Sequence, residues 1–200
     1  MTHKSPSGVN SFYAFEKDTT ESWAYWNEGF TPEECQKIIA YGMSLNGNVA
    51  STFNTNPIDL NVRDSYVSWI TPNHDTSWLY DKLSHYVQSL NKDYFKFDLV
   101  GFTEPIQFTK YEAPSGHYRP HVDKGLNIHP RKLSVVVQLS DPNEYEGGNL
   151  ELYTSGTPAI ANKDQGFLIA FPSYTLHGVT PVTKGVRYSL VMWVGGPNFR

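Results

Sequence analysis

Cysteine is almost missing from this chain: Cys35 is the only one in 200 residues. A disulfide within the chain is therefore excluded, and so is a metal site built on clustered thiolates. Long apolar runs are missing too. None approaches the roughly 18 residues that a membrane-crossing helix requires, so no membrane partner is expected. The opening residues, MTHKSPSGVNS, are polar and lack the apolar stretch of a signal peptide. A cytoplasmic protein is the resulting expectation. Positive charge is scarce as well. The 16 Lys and Arg stand against 20 Asp and Glu, a formal net charge of -4. Non-specific nucleic-acid binding usually needs a basic face, so no nucleic-acid partner is expected.

The composition that remains, 39% hydrophobic and 14% aromatic, is that of an ordinary globular protein. The length suits one well-buried domain. Residues 1–11 read as a mobile tail and 12–200 as a single domain. The segment FTPEECQKIIAYGMSL predicts a helix. Thr31 is its N-cap, Pro32 takes the first helical position and Glu34 completes a capping box. Ile38, Ile39 and Met43 then share an apolar face, and Cys35 reads as a buried structural thiol. DSYVSWI alternates as a strand does, and DTSWLYDKLSHYVQSLN carries apolar residues at helical spacing. After residue 95 the texture changes to short β-rich runs separated by turns rich in Gly, Pro and Asn. That pattern predicts a β-sandwich or jelly roll, with the two helices packed on one sheet.

The chemistry concentrates in GHYRPHVDKG, residues 116–125. Gly116 and Pro120 disfavour a helix there, and on an extended segment His121 and Asp123 face the same way. An imidazole and a carboxylate on one spot offer two metal ligands, and a third must come from elsewhere. The candidates are His3, His74, His85, His117, His129 and His177. His177, in AFPSYTLHGVTPV, is the strongest, because a neighbouring strand of a jelly roll can bring it opposite His121. Two His and one carboxylate leave open positions on a metal, as in non-haem iron(II) oxygenases. His-x-Asp alone carries little weight, because seven His and ordinary Asp content produce it readily by chance. A lone His177 is more often a packed histidine. His117 stands four residues before His121, but Pro120 argues against a zinc-binding helix, so a substrate-facing or solvated residue is the reading there. His129 is given no role.

Arg187, in KGVRYSLVMWV, opens an apolar strand. An arginine there is costly unless an anion pairs with it, and its planar fork suits a carboxylate. A strand-end arginine with its head in water is the competing reading. A hairpin turning at TKG would place Arg187 near His177.

HVD, LSDPNEYEGGNLELY and FPSYTLHGVTPVTKGVRYSLVMW together resemble the prolyl 4-hydroxylase-like oxygenases, most closely the bacterial and phage PKHD-type hydroxylases. The resemblance covers roughly residues 98–195. It implies a mainly β fold, a double-stranded β-helix (jelly-roll) core with supporting N-terminal helices. It implies Fe(2+), 2-oxoglutarate and O2, with His121, Asp123 and His177 as iron ligands. Arg187 would pair with the distal carboxylate of 2-oxoglutarate, and Tyr111 would hydrogen-bond the co-substrate. Collagen-type enzymes carry lysine where this chain has Arg187. Ser189 fits an Arg-x-Ser pattern that the PKHD branch often lacks. Gly147 and Gly148 read as a tight turn, and Trp193 as core.

The implied activity is hydroxylation of a C–H bond, with 2-oxoglutarate decarboxylated to succinate, on a peptide or protein substrate at proline. No side chain is expected to act as a general base. Phe53 and Tyr118 are candidates to stack on a prolyl ring. The segments NVASTFNTNPIDLN and KGLNIHPRK read as loops that close over an extended chain. Three alternatives stand beside this reading. One is the same chemistry on a free amino acid or other small molecule. Another is a metal enzyme without 2-oxoglutarate, such as a cupin-type dioxygenase or a zinc hydrolase. The third is a non-enzymatic jelly-roll binding module.

Overall fold

The computed structural model describes residues 20–50, 59–124 and 130–198. The tail at 1–11, His3, Phe53, His129 and the middles of the two expected closing loops lie outside the described residues.

In chain order the elements begin with β1 (Ala24–Trp26), α1 (Pro32–Ser44), β2 (Asn48–Val49), β3 (Arg63–Asp64) and β4 (Tyr66–Ile70). Next come α2 (Ser77–Leu90), running into a π-helical turn at Asn91–Phe95, then β5 (Gly101–Phe102), β6 (Ile106–Glu112) and β7 (His117–His121). The rest is strand: β8 (Arg131–Gln138), β9 (Tyr145–Gly147), β10 (Leu150–Leu152), β11 (Ala159–Ile160), β12 (Leu168–Pro172), β13 (His177–Val179) and β14 (Val182–Gly195).

The large sheet runs β1-β12-β8-β14-β6-β4-β2, with β5 and β9 also paired to β14. The small sheet runs β11-β10-β13-β7-β3. The fold is mainly β, the expected jelly roll. Strand β8 shows how its layers form. All of its residues are buried, because both of its faces are covered. Leu133, Val135 and Val137 pack toward Cys35, Ile38, Leu79, Leu83 and Val87 of the two helices. Val136 points the other way, into a cluster with Leu150, Leu152, Ile169, Phe171 and Val179 that joins the two sheets. Each such side chain contributes roughly 1.5–3 kcal/mol by leaving water.

Helix α1 starts as its sequence predicts. Thr31 Oγ1 accepts from the Glu34 amide at 3.3 Å, and Glu34 Oε2 accepts from the Thr31 amide at 2.9 Å. Glu34 also accepts from Lys82 Nζ at 2.6 Å, which ties α1 to α2. The apolar face differs from expectation at one position. Met43 is 43% exposed, and Gly42 is buried in its place. The Phe108 ring lies so close to Gly42 that a Cβ there would overlap it, so the helix settles on the sheet through this glycine. Cys35 is fully buried, and burial with the adjacent Glu34 pushes its thiol up to about 12.

The hairpin expected at TKG does not form. Residues 182–195 are one strand, and β13 pairs with β10 and β7 rather than with β14. The register of β14 against β9 shifts between Val182 and Lys184, and Gly185 adopts φ +71°. The glycine serves a bulge in which the strand passes from β9 to β6, rather than a chain reversal.

Candidate metal centre

Strands β7 and β13 are antiparallel neighbours, and His121 stands directly opposite His177. Past the end of β7, Val122 turns out, 49% exposed, and Asp123 turns in, 8% exposed, its amide donating to the Ser173 carbonyl at 3.0 Å. One ligand atom from each of His121, Asp123 and His177 lies within 4.8 Å of the others. His177 Nε2 is 3.4 Å from Asp123 Oδ2, and His121 Nε2 is 3.6 Å from Oδ1.

The surroundings prepare both imidazoles. His121 Nδ1 lies 2.8 Å from the Arg119 carbonyl, and His177 Nδ1 lies 2.9 Å from the Thr175 carbonyl. A carbonyl only accepts, so each Nδ1 carries the proton and each Nε2 offers a lone pair to the centre. Burial holds His177 below the ordinary histidine range, although Asp123 pulls the other way. For Asp123 burial opposes ionisation. The flanking imidazoles and the Ser134 hydroxyl outweigh it and keep the carboxyl well below its usual range. Ser134 Oγ donates to Asp123 Oδ2 at 2.7 Å and lies 3.0 Å from Ser173 Oγ. Arg131 Nη1 reaches the Asp123 carbonyl at 3.4 Å. Its Nε and Nη2 hold the carboxylate of Glu104 in a fork at 2.6 Å each, and its guanidinium covers the Trp193 ring at 3.7 Å. Two imidazoles and a carboxylate are a donor set that fits a divalent iron.

A second cluster lies on the inner face of β14. Arg187 pairs across strands with Tyr111, and its guanidinium carbon is 5.4 Å from that ring. Only 1% of Arg187 is exposed. Its Nη2 donates to Gln138 Oε1 at 2.8 Å and the buried Tyr145 hydroxyl lies beside the guanidinium, while Nε and Nη1 have no hydrogen-bond partner among the described residues. Ser189, two residues along the same face, is also buried with an unpartnered hydroxyl. Gly148 (φ +59°) closes over this cluster, since a Cβ there would come 3.0 Å from Arg187 Cδ. The turn read as merely structural thus also walls in the arginine. A buried guanidinium with two idle donors fits an anion such as the distal carboxylate of 2-oxoglutarate. The apolar cluster between the sheets connects the two places. It contains Tyr111, which neighbours Arg187, and Phe171, whose ring is 4.7 Å from that of His177.

Other expectations are placed differently. Tyr118 stacks on His121 with ring centroids 3.6 Å apart, so that ring face is closed to a substrate. His117 lies at the start of β7, with Nδ1 2.8 Å from the Ser115 carbonyl and Nε2 3.2 Å from that of Asn61. His74 is solvated beside Asp75, and the His85 ring lies against Tyr86. Gln138, Ser134, Arg131 and Glu104 were not singled out from the sequence. The available signal was a polar residue inside an apolar run, as in KLSVVVQLS, which marks Ser134 and Gln138.

Residues 106–195 match the model of the 2OG-Fe(II) oxygenase superfamily. Over 96 residues the chain is 36% identical to a PKHD-type hydroxylase of Teredinibacter turnerae, a match covering 45% of this chain and 42% of that protein. It is 39% identical over 93 residues to the PKHD-type hydroxylase YbiX of Escherichia coli, covering 44% and 41%. The chain thus matches about two fifths of the length of these relatives. Among solved structures it is similar in fold to a Pseudomonas putida prolyl-4-hydroxylase, with a TM-score of 0.70 at 20% identity over 90% of this chain and 95% of that one. A Trichoplax adhaerens prolyl hydroxylase, solved with a peptide fragment of a hypoxia inducible factor, gives a TM-score of 0.73 at 17% identity over 88% and 84%. The stretch that is similar to the 2OG-Fe(II) oxygenase superfamily, residues 106–195, is the one that carries Asp123 between its two histidines and the buried Arg187.

Proposed function

We propose that this protein is an iron(II)- and 2-oxoglutarate-dependent dioxygenase that hydroxylates a C–H bond, and that its substrate is a peptidyl proline. The observation that carries the reading is the pairing of the His121–Asp123–His177 cluster with a buried guanidinium whose Nε and Nη1 have no hydrogen-bond partner among the described residues. A bare metal enzyme has no use for that arginine.

In this reading His121 and His177 present Nε2, and Asp123 presents a carboxylate oxygen, to one side of the metal. The other side stays open for co-substrate and O2. Iron(II), 2-oxoglutarate and O2 together would supply the oxidising power, releasing succinate and CO2 and leaving one oxygen atom on the substrate. The protein's own contribution is placement. Arg187 takes the distal carboxylate of 2-oxoglutarate with its free donors, and Gln138 keeps the fork from swinging. Tyr111 lies beside the guanidinium and hydrogen-bonds the same co-substrate. Ser189 offers the carboxylate a further donor. Ser134 and Arg131 hold Asp123 in its ligating orientation. The apolar layer of Val136, Ile169 and Phe171 keeps bulk water from the space between. No side chain is required to accept a proton from substrate.

Proline in a peptide is favoured over a free metabolite by the rim of the site. Tyr174 and Leu176 are half exposed, on the turn that leads into His177. Such a rim suits a chain lying across it. The Trichoplax adhaerens neighbour, solved with a peptide, supports the same choice. No helix among the described residues is long and apolar enough to cross a membrane. The test is to load the protein with iron(II) and follow succinate release with proline-containing peptides, and with free proline and other amino acids in parallel. Mass gain of one oxygen on peptidyl proline, coupled to succinate, is expected. Coupled turnover on a free amino acid, with none on any peptide, overturns the substrate assignment.

A further inference from the structure

Four rings and a guanidinium form a continuous column through the metal centre. The Arg63 guanidinium carbon sits 4.6 Å over the Tyr118 ring. The Tyr118 ring lies 3.6 Å from the His121 ring at an interplanar angle of 21°. The His121 ring is 4.3 Å from that of His177, which is 4.7 Å from that of Phe171. Two groups this close to the Tyr118 centroid cannot share a face, so Tyr118 is held between Arg63 and His121. The backbone builds the stack: Arg63 pairs with Tyr118 across β3 and β7, and His121 pairs with His177 across β7 and β13. Arg63 is itself 7% exposed, and its Nε donates to Ser65 Oγ at 2.9 Å.

His121 needs such support more than His177 does. The His121 side chain is 21% exposed, against 7% for His177. The hydrogen bond from Nδ1 to the Arg119 carbonyl sets its tautomer, but one bond leaves the ring free to tilt about it. We infer that Tyr118, clamped by Arg63, is a positioning residue that fixes the ring plane of His121 and so aims its Nε2 at the metal. The inference rests on the metal reading above. It assigns no contact between Tyr118 and metal, co-substrate or substrate. Outer groups that orient a ligand typically change metal affinity by about 10–100-fold.

The experiment uses Co(II) as probe, with affinity read from its ligand-field absorption and folding from the thermal melt of the metal-free protein. Tyr118→Leu should bind Co(II) about tenfold or more weakly. Tyr118→Phe keeps the stack and should stay within about twofold of wild type. Arg63→Met, which unclamps the outer face, should weaken Co(II) by a smaller factor. It decides the matter if Tyr118→Leu does not fold. A merely structural Tyr118 would lower the melting temperature and leave Co(II) affinity of the folded protein unchanged, which overturns the inference. So does a Tyr118→Phe variant as weak as Tyr118→Leu. Wild-type protein that takes no Co(II), or takes it equally well after His121→Ala, fails the metal reading itself, a result distinct from either of these.

Discussion

Arg187 donates through Nη2 to the side-chain oxygen of Gln138 at 2.8 Å, and no carboxylate lies within ion-pair reach of it among the described residues. A guanidinium 1% exposed with a neutral amide for its partner is an expensive arrangement for the protein alone. It becomes favourable when an anion arrives. Arg187→Met should therefore move two quantities in opposite directions. The metal-free protein should melt at the same or a higher temperature, because an uncompensated buried charge is gone. The 2-oxoglutarate concentration for half-maximal turnover should rise by roughly 30-fold or more, from the loss of about 2–5 kcal/mol. The iron requirement should change little. An unchanged 2-oxoglutarate dependence removes Arg187 from the co-substrate site.

Asp123→Ala removes the carboxylate between the two imidazoles. Metal binding, followed by Mn(II) calorimetry, should fall below detection while far-UV circular dichroism keeps its β signature. Asp123 sits past the end of β7 and outside both apolar clusters, so the sheets do not depend on it. Full metal affinity in both Asp123→Ala and His177→Ala would place the site elsewhere.

The same residues set a pH dependence in the metal-free protein. His177 is held below the ordinary histidine value by burial, so the unfolded chain takes up its proton first as pH falls. Stability is then complete above about 6.5 and declines below it until the folded His177 also protonates. Asp123 is also held low, by the imidazoles and Ser134 against the effect of burial, and adds a further loss once pH drops below about 3.9. Urea unfolding from pH 8 downward should show stability decreasing monotonically. His177→Gln should flatten the first part of that decline. Rising stability between pH 7 and 5 contradicts the sign.

How far the site could be read from the sequence follows from what each residue's neighbours are. His121 and Asp123 were legible because they are two apart on a segment that Pro120 keeps extended. His177 and Arg187 were legible through the motifs around them. The partners were not. Gln138 meets Arg187 across 49 residues of chain, and a glutamine in an otherwise apolar strand carries no mark of which arginine it serves. Tyr118 read as a substrate platform because an aromatic beside a ligand can face either way, and only the pairing of β3 with β7 turns it onto His121. TKG read as a turn because glycine there signals a reversal and a bulge equally well. The helices were legible in full at Thr31 and Glu34, where the cap is local chemistry. Their buried face was misplaced at Met43, because packing against Phe108 favoured Gly42.

The rim residues provide the last test, which concerns how substrate is held rather than how it is oxidised. Tyr174 is 49% exposed and Leu176 is 41% exposed, both on the turn between β12 and β13 that ends at His177. Neither belongs to an apolar cluster of the core. Truncating them should therefore leave the fold and the co-substrate pocket intact. A peptide lying across the site would lose apolar contact with them, and truncating one of the minority of side chains that carry such an interface costs about 1–2 kcal/mol, roughly 5–30-fold in affinity. Tyr174→Ala and Leu176→Ala should each raise KM for a proline-containing peptide within that range. Any 2-oxoglutarate turnover measured without substrate should be unchanged, because Arg187 and the His121–Asp123–His177 cluster are untouched. A free amino acid has less contact with the turn to lose, so its turnover, if any, should be affected less. Equal losses for peptide and free amino acid would mean that the turn shapes the metal site itself. Unchanged peptide KM in both variants would mean that substrate approaches from another side.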